Sequence, residues 1–168
     1  MRMDEIKQGF SSIWDSLAEG WARLRQSAAD ALTRFTPAAK SALPARSEVD
    51  DEFYMPSQAW SMLGGDVFED DKRIVVRLEI PGMDKRDFRL EVRDEALVVR
   101  GEKRFGRERT DGRYRVLQCA YGSFRRVVPL PVRVRPDKAT ARYKDGVLRV
   151  ELAKLEPGTP KRISVKVA

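Results

Sequence analysis

The 168-residue chain contains no histidine and only one cysteine, Cys119. Zinc sites, Ser-His-Asp triads and Cys-His pairs depend on these two residue types, so their usual forms are excluded. A single cysteine forms no intrachain disulfide, which favours a reducing compartment and a cytoplasmic location. Cys119 falls in an expected strand start at residues 117–120, and no base lies near it in the sequence. We therefore interpret it as a buried structural thiol rather than a nucleophile.

Nucleotide-binding motifs are missing as well. Residues 101–106 have the glycine spacing of a P-loop, but the Lys and the Ser/Thr that would hold phosphate and magnesium do not follow. Paired carboxylates such as Asp70 and Asp71 fall at expected turns, where a solvated charge is the ordinary reading. We therefore predict no cofactor, no metal and no enzymatic activity.

The chain also lacks an apolar run long enough to cross a bilayer, and no apolar segment typical of a signal peptide follows its first residues. Its 33 basic and 26 acidic side chains are unevenly distributed, since residues 1–60 carry 7 basic and 9 acidic ones. In the basic remainder the two signs are interleaved, as in residues 86–95, which is typical of a solvated surface. We therefore do not expect nucleic acid to be the main partner.

An apolar stripe at helical spacing occupies the N-terminal arm, and Pro37 is expected to end it. The stripe predicts one amphipathic helix, or two broken near Gly20, in an arm that is helical or partly disordered. This face packs either on the chain's own domain or on other chains, and its large aromatic surface favours the second. The residues that we expect to contact other chains are Phe10, Ile13, Trp14, Leu17 and Trp21.

From residue 61 the pattern changes to the two-residue period of β-strands. Ile74, Val76 and Leu78 alternate with charged residues, and similar short segments follow, with a hairpin signal at Asp145-Gly146. This pattern predicts an all-β fold, an immunoglobulin-like β-sandwich. We divide the chain into an arm and linker (1–60), the sandwich (61–154) and a tail strand (155–168).

An ordered set of short motifs runs through the second half of the sandwich region. It consists of Gly122-Ser123-Phe124-Arg125-Arg126, then Leu130-Pro131, then Ala141 followed by Gly146-Val147-Leu148. With the upstream Leu78-Glu79-Ile80-Pro81-Gly82, this set resembles the core sequence of the small heat-shock protein (alpha-crystallin domain) family, bacterial type. The likeness covers residues 66–154 and a tail motif, Ile163-Ser164-Val165, that is similar to the family's I-x-I/V.

The resemblance implies an ATP-independent holdase that forms dimers, assembles into homo-oligomers and binds unfolding client proteins. We expect the five apolar arm residues named above, from Phe10 to Trp21, to contact both clients and neighbouring subunits. It implies that residues 103–116 form a loop whose strand is exchanged within the dimer. It also implies that Ile163 and Val165 dock on a neighbouring subunit, although Val165 and Val167 offer a second register. Ala153 stands where the family usually has Pro, which would let the last strand continue.

We assign Arg126, Phe105 and Tyr114 to the core or dimer interface. On a regular strand Arg126 faces inward with Phe124 and Val128, where it needs a carboxylate or an interface. The alternative is a surface arginine on a twisted edge. The rival hypothesis for the whole chain is a monomeric β-sandwich module whose basic face binds nucleic acid or an anionic membrane. The arm lacks the Lys/Arg cluster that membrane-surface helices use.

Overall fold

The computed structural model describes residues 29–37, 42–57, 59–93, 95–108 and 112–157. These residues form nine strands, β1 to β9, and two short 3-10 helices, Arg46–Glu48 and Lys85–Asp87. The strands in chain order are Leu32–Thr36, Ala59–Met62, Gly65–Glu69, Arg73–Glu79, Phe88–Arg93, Ala96–Lys103, Gly122–Pro129, Val134–Lys144 and Val147–Lys154. The chain divides into two units, residues 1–32 and 33–168, and residues 29–31 of the first unit are helical.

The strands form two sheets. The five-stranded sheet has the order β2-β1-β7-β6-β5, and the four-stranded sheet has the order β3-β4-β9-β8. Neighbouring strands from β3 onward pair in antiparallel register. The sheets bury their inner faces against each other and enclose one apolar core. This architecture confirms the predicted β-sandwich.

The core follows the two-residue alternation expected from the sequence. Ile74 and Val76 on β4 are fully buried, and Leu152 and Val150 lie directly opposite them on β9. The other sheet faces them with buried side chains from β6 and β7, namely Leu97, Val99, Phe124 and Val128. Buried apolar area of this kind is the main term that stabilises a small β-sandwich.

Glycine is required at two positions where strands begin or end. Asp145 and Gly146 join β8 to β9 with φ values of 51° and 78°, a pair of positive φ values that favours Asp or Asn followed by Gly. Gly122 begins β7 with a φ of 115°, and a Cβ there would collide with the carbonyl oxygen of Thr36. The glycine of the G-x-F-x-R motif is therefore required by the close approach of β1 to β7.

The last strand runs through Ala153 to Lys154, as expected from the missing proline. The Lys154 side chain is 4% exposed, and its Nζ donates to the Glu69 carboxylate at 2.7 Å. The same Nζ donates to the carbonyl oxygen of Asp70 at 3.2 Å. This buried ion pair ties the end of β9 to the end of β3.

Residues 32–36 form strand β1, so the predicted helix is wrong over its last residues. Burial alternates along β1, with Thr33 and Phe35 inside. Phe35 pairs with Phe124 on β7, and the two ring centroids lie 5.1 Å apart. The edge of β7 offers backbone partners and a core position for Phe35, and this tertiary context overrides the helical spacing.

Two further expectations are wrong in the connection between β6 and β7. Residues 117–120 form no strand, and Cys119 is exposed rather than buried. The last residue of β6, Lys103, pairs with Gly122, so the residues before Gly122 lie beyond the end of β6. They have no strand beside them to pair with, and Cys119 therefore remains at the surface.

Candidate functional site

The outer edge of β3 is the first candidate surface. In the described part of the chain β3 pairs only with β4, so its other edge presents backbone groups without a strand neighbour. Val67 and Phe68 on this strand are 45% and 57% exposed. An open edge with exposed apolar side chains can accept an additional strand.

The connection between β6 and β7, residues 104–121, is the second candidate surface. Its described residues contact the linker at residues 44–54. Val49 forms a parallel bridge with Tyr114, and the Asp50 N–H donates to the Tyr114 carbonyl oxygen at 2.9 Å. The Leu117 N–H donates to the Asp51 carboxylate at 3.3 Å. We call this contact, between residues 44–54 and residues 105–117, the loop–linker clamp.

Ion pairs supply most of the polar contacts in the clamp. Arg107 donates to the Glu48 carboxylate at 2.8 Å, and Arg113 donates to Asp50 at the same distance. Arg115 also donates to Asp50. The three arginine side chains are 38%, 58% and 80% exposed, so solvent surrounds every pair. Pairs of this kind are individually weak and are screened by salt.

The charge state of Glu48 follows from its hydrogen bonds. The Arg107 side chain, and after it the Ala45 N–H, lower the pKa of Glu48 to about 2. The hydrogen bond from the Ala45 N–H measures 2.7 Å. Glu48 is therefore ionised throughout the physiological pH range, and the clamp keeps this charge near neutral pH.

An aromatic cluster lies beside the clamp. The ring of Phe105 meets the ring of Tyr114 at a centroid distance of 5.4 Å and the ring of Tyr121 at 5.1 Å, both in edge-to-face geometry. The Lys103 ammonium lies 5.4 Å from the Tyr121 ring centroid. The structure thus brings together two residues predicted for the interface, Phe105 and Tyr114, within a single subunit.

Arg126 lies on β7, apart from that cluster in the fold. It is half-buried and lies opposite Val99 of β6, with buried Phe124 and Val128 on the same face of its own strand. Its orientation is the one expected for a regular strand. Its role at a dimer interface stays a prediction.

The edges of β5 and β8 form a third candidate surface. The rings of Phe88 on β5 and Tyr143 on β8 lie 4.9 Å apart, and the Tyr143 hydroxyl donates to the Ile80 carbonyl oxygen at 2.8 Å. Further apolar side chains from β5 and the segment before β8 stay only partly buried against the core, namely Leu90, Val92 and Val132. These positions offer apolar contacts to a segment laid between the two edges.

The sequence analysis did not predict that acidic residues of the linker, Glu48 and Asp50, bind the connection. Residues 37–60 carry no motif, yet two of the acidic residues there, Glu48 and Asp50, find ion-pair partners in the connection. A signal for this contact exists in the sequence, since an acidic run at residues 48–52 is matched by a basic run at residues 103–115. Charge complementarity between the two runs identifies the contact without a motif.

A profile of the Hsp20/alpha crystallin family matches residues 66–168. The chain belongs to this family. The matched segment covers β3 to β9, so the open β3 edge, the connection and the β5 and β8 edges all lie within the alpha-crystallin domain. The motifs that suggested the family therefore correspond to structural requirements, such as the glycine that begins β7.

Individual relatives agree with the profile. The small heat shock protein C2 of Rickettsia felis is 30% identical to this chain over 101 residues. The aligned residues are 60% of this chain and 66% of that protein, so the chain spans slightly less than two thirds of the relative's length. Heat shock protein 16.0 of Schizosaccharomyces pombe is 32% identical with a TM-score of 0.54, over 62% of this chain and 97% of that one. A small heat-shock protein from Xylella fastidiosa, described as having a distinct high order structure, is 27% identical with a TM-score of 0.50, over 64% and 98% of the two chains.

The predicted client-binding residues and the predicted docking residues lie outside the described part of the chain. The first set comprises Phe10, Ile13, Trp14, Leu17 and Trp21, and the second comprises Ile163 and Val165. Their roles therefore stay predictions. Among the described residues, no helix has the length and apolar character needed to span a bilayer.

Proposed function

We propose that this chain is an ATP-independent holdase that binds unfolding proteins and prevents their aggregation. The observation that carries the proposal is an alpha-crystallin domain whose β3 edge is open and bears the exposed side chains of Val67 and Phe68. A holdase needs surfaces that take up additional chain segments, and it needs neither a nucleotide site nor a catalytic group. We expect it to act in the cytoplasm, where its single exposed thiol, Cys119, stays reduced.

We propose that dimers form when the connection of one subunit leaves the loop–linker clamp and adds a strand to the partner's β3 edge. Apart from the bridge at Tyr114, the described residues of the connection pair with no strand of their own subunit. In this scheme Phe105 and Tyr114 belong to the exchanged connection and contact the partner subunit. Arg126 of β7 also lies at the dimer interface. Deleting residues 105–114 should therefore give folded monomers in sedimentation experiments.

A matched control separates the length of the connection from its contacts. Replacing residues 105–114 by a Gly/Ser segment of equal length keeps the reach but removes the ion pairs of Arg107 and Arg113 and the rings of Phe105 and Tyr114. We expect this variant to retain some dimer, whereas the deletion retains none. Dimerisation of the deletion variant with unchanged affinity would show that the connection is not exchanged.

We propose that the tail assembles dimers into larger particles by docking Ile163 and Val165 on the β5 and β8 edges of a neighbour. Each contact is weak, but many contacts per particle act together. Replacing both residues with Ala should reduce the mass measured by native mass spectrometry to that of a dimer. Replacing Ser164 and Lys166, whose side chains alternate with them, should not. A loss of assembly on Val167→Ala but not on Ile163→Ala would assign docking to the second register.

We propose that the N-terminal arm binds clients through Phe10, Ile13, Trp14, Leu17 and Trp21. Unfolding proteins expose apolar surface, and the sandwich uses most of its own apolar faces internally. The test is light scattering of a heat-labile protein, without nucleotide and at equal subunit concentration. Removal of residues 1–28 should abolish most protection, whereas a longer cut would also delete Phe35, which is 1% exposed in the core.

Full protection by the chain without residues 1–28 would contradict the role of the arm and place the client site on the sandwich. A requirement for ATP, or a native mass equal to one 19.2 kDa chain with no aggregation-suppressing activity, would remove the holdase function itself. A single chain that bound polynucleotides or anionic vesicles would favour the rival binding module.

A further inference from the structure

The outward face of the β3-β4-β9-β8 sheet carries a basic depression that the described residues of its own subunit leave open. Its volume is about 650 Å³, and five basic but only two acidic side chains line it. Its floor is apolar and consists of Phe68, Val75 and Val147. We call this depression the socket. A strand added at the β3 edge would extend the sheet sideways and leave this face open.

Strand register places like charges side by side along the socket. Arg77 on β4 and Arg142 on β8 both lie directly opposite Arg149 on the central strand β9. Adjacent strands are about 4.8 Å apart, so the three arginines occupy one row across the sheet. Like charges directly opposite each other destabilise a sheet unless an anion lies between them. The row therefore favours a partner that brings negative charge.

Carboxylates of the same sheet lie near two of the three arginines in this row but not near the third. Arg149 donates to the Glu151 carboxylate, and Asp66 lies opposite Arg77. Within the described residues, Arg142 has neither a hydrogen bond nor an ion pair with a carboxylate. Beside it, Lys144 is paired only loosely, at 3.7 Å, with an exposed aspartate in the turn that follows. The uncompensated charge thus lies on the β8 side of the apolar floor.

A complementary feature occurs elsewhere on the same chain. Phe53 is 89% exposed, the most exposed of the large apolar side chains described. The preceding residue, Glu52, is also exposed, and it makes no hydrogen bond or ion pair with the described residues. An aromatic ring beside an uncompensated carboxylate is the chemistry that suits an apolar floor with a basic rim.

Three hydrogen bonds hold the backbone of the turn that carries Phe53 and the Tyr54 side chain beside it. The Tyr54 N–H donates to the Asp51 carbonyl oxygen at 3.1 Å, and the Phe53 N–H donates to the Asp51 carboxylate at 3.0 Å. Tyr54 is buried, and its hydroxyl donates to the Pro44 carbonyl oxygen at 2.8 Å. A turn whose backbone is already held by hydrogen bonds loses little backbone conformational entropy when it binds.

We propose that the Glu52-Phe53 turn of one chain inserts into the socket of a second copy. Phe53 packs on Phe68 between Val75 and Val147, and the Glu52 carboxylate pairs with Arg142. The contact is intermolecular because the turn lies beside Trp60 and Tyr121, next to the five-stranded sheet, whereas the socket faces away from that sheet. It joins two different surfaces, so it links subunits head to tail.

Photo-cross-linking tests the position of the turn. The full-length protein carries p-benzoylphenylalanine in place of Phe53, and chains labelled with heavy and light nitrogen are mixed before irradiation. We expect mixed-label cross-links to peptides of β3, β4 and β9 that contain Phe68, Val75 or Val147. Cross-links that lie within one chain, or that reach only the arm or the connection of another chain, would overturn the proposal.

Charge exchange tests the pairing itself. Glu52→Arg and Arg142→Glu should each lower the yield of that cross-link by about tenfold, since like charges then meet in the contact. The double variant should restore the yield. Arg125→Glu serves as the matched control, because Arg125 is exposed on the other sheet and its loss changes the net charge equally. Combined with Glu52→Arg, it should restore nothing.

Each outcome decides the proposal. Restoration in the matched double variant, but not with Arg125→Glu, supports it. Failure of restoration while circular dichroism shows folded proteins overturns it. A socket that instead binds a single-stranded oligonucleotide or anionic vesicles, in a way that depends on Arg142 while the cross-link is unaffected by Arg142→Glu, also overturns it. The test does not involve chaperone activity, so it can fail or succeed independently of the holdase function.

Discussion

The core of the sandwich and the loop–linker clamp belong to the same unit of the chain, but different forces hold them. In the core, Ile74, Val76 and Leu152 are completely removed from water. In the clamp, the main contacts are ion pairs of Glu48 and Asp50 with arginines that keep at least 38% of their side-chain surface exposed. The core depends on apolar burial, whereas the clamp depends on charges that remain in water.

This difference gives the two regions different responses to solvent. Added salt does not weaken apolar burial, but it screens exposed ion pairs within a few ångströms. We therefore expect salt to separate the connection from the linker while the two sheets stay intact. Such separability is what strand exchange between subunits requires of the connection. The following predictions test the contrast, from the largest expected effect to the smallest.

Truncation in the core should have the largest effect. Leu152→Ala removes a fully buried side chain from the central strand β9 and should lower the free energy of unfolding by about 3 kcal/mol. Leu155→Ala is the matched control, because Leu155 lies just beyond β9 and is 46% exposed. Its cost should stay below about 1 kcal/mol. Urea denaturation measures both values, and equal costs would mean that the core is not the main source of stability.

The buried ion pair at the end of β9 should rank second. Lys154→Met leaves the Glu69 carboxylate, whose side chain is 19% exposed, without its closest cation. The expected loss is roughly 2 kcal/mol, below the range for a fully buried pair because Glu69 still reaches water. Adding Glu69→Gln should recover part of the loss in urea denaturation. A double variant as unstable as the single one would mean that Lys154 acts only through packing.

Salt should loosen the clamp without affecting the core. Raising sodium chloride from about 0.05 M to about 1 M shortens the screening length to roughly 3 Å. Peptides that cover residues 44–54 and 112–121 should then exchange their amide hydrogens severalfold faster, whereas peptides of β4 and β9 should not change. Arg107→Gln should show fast exchange at both salt concentrations. Identical salt responses in clamp and core peptides would remove the distinction drawn above.

Acid should have the smallest effect on the clamp, where it acts through the carboxylate of Glu48. Because the pKa of Glu48 falls from 4.5 to about 2 on folding, its contribution is present in full above pH 4.5 and is lost as the pH falls towards 2. Hydrogen exchange of residues 44–54, corrected for the intrinsic rate, should therefore accelerate across this interval. Glu48→Gln should abolish this part of the pH dependence. A transition near neutral pH would instead require a different titrating group.

Strand segments with strict alternation could be predicted from the sequence because each carries its own burial pattern. Ile74 and Val76 identify β4, and Asp145-Gly146 identifies the hairpin that joins β8 to β9. Residues 32–36 could not be predicted in this way, since their apolar residues also fit a helical stripe. The segment becomes a strand because it lies between β2 and β7, with Phe35 opposite Phe124 of β7.

The sequence by itself determined the sandwich, the family and the absence of histidine-dependent chemistry, because these depend on residue type and local period. The tertiary structure decided which segments meet. It exposed Cys119, joined Glu48 to Arg107 and aligned Arg77, Arg149 and Arg142 in one row. Residue type and local period do not give strand register or long-range ion pairs, since both depend on how segments far apart in the chain pack against each other.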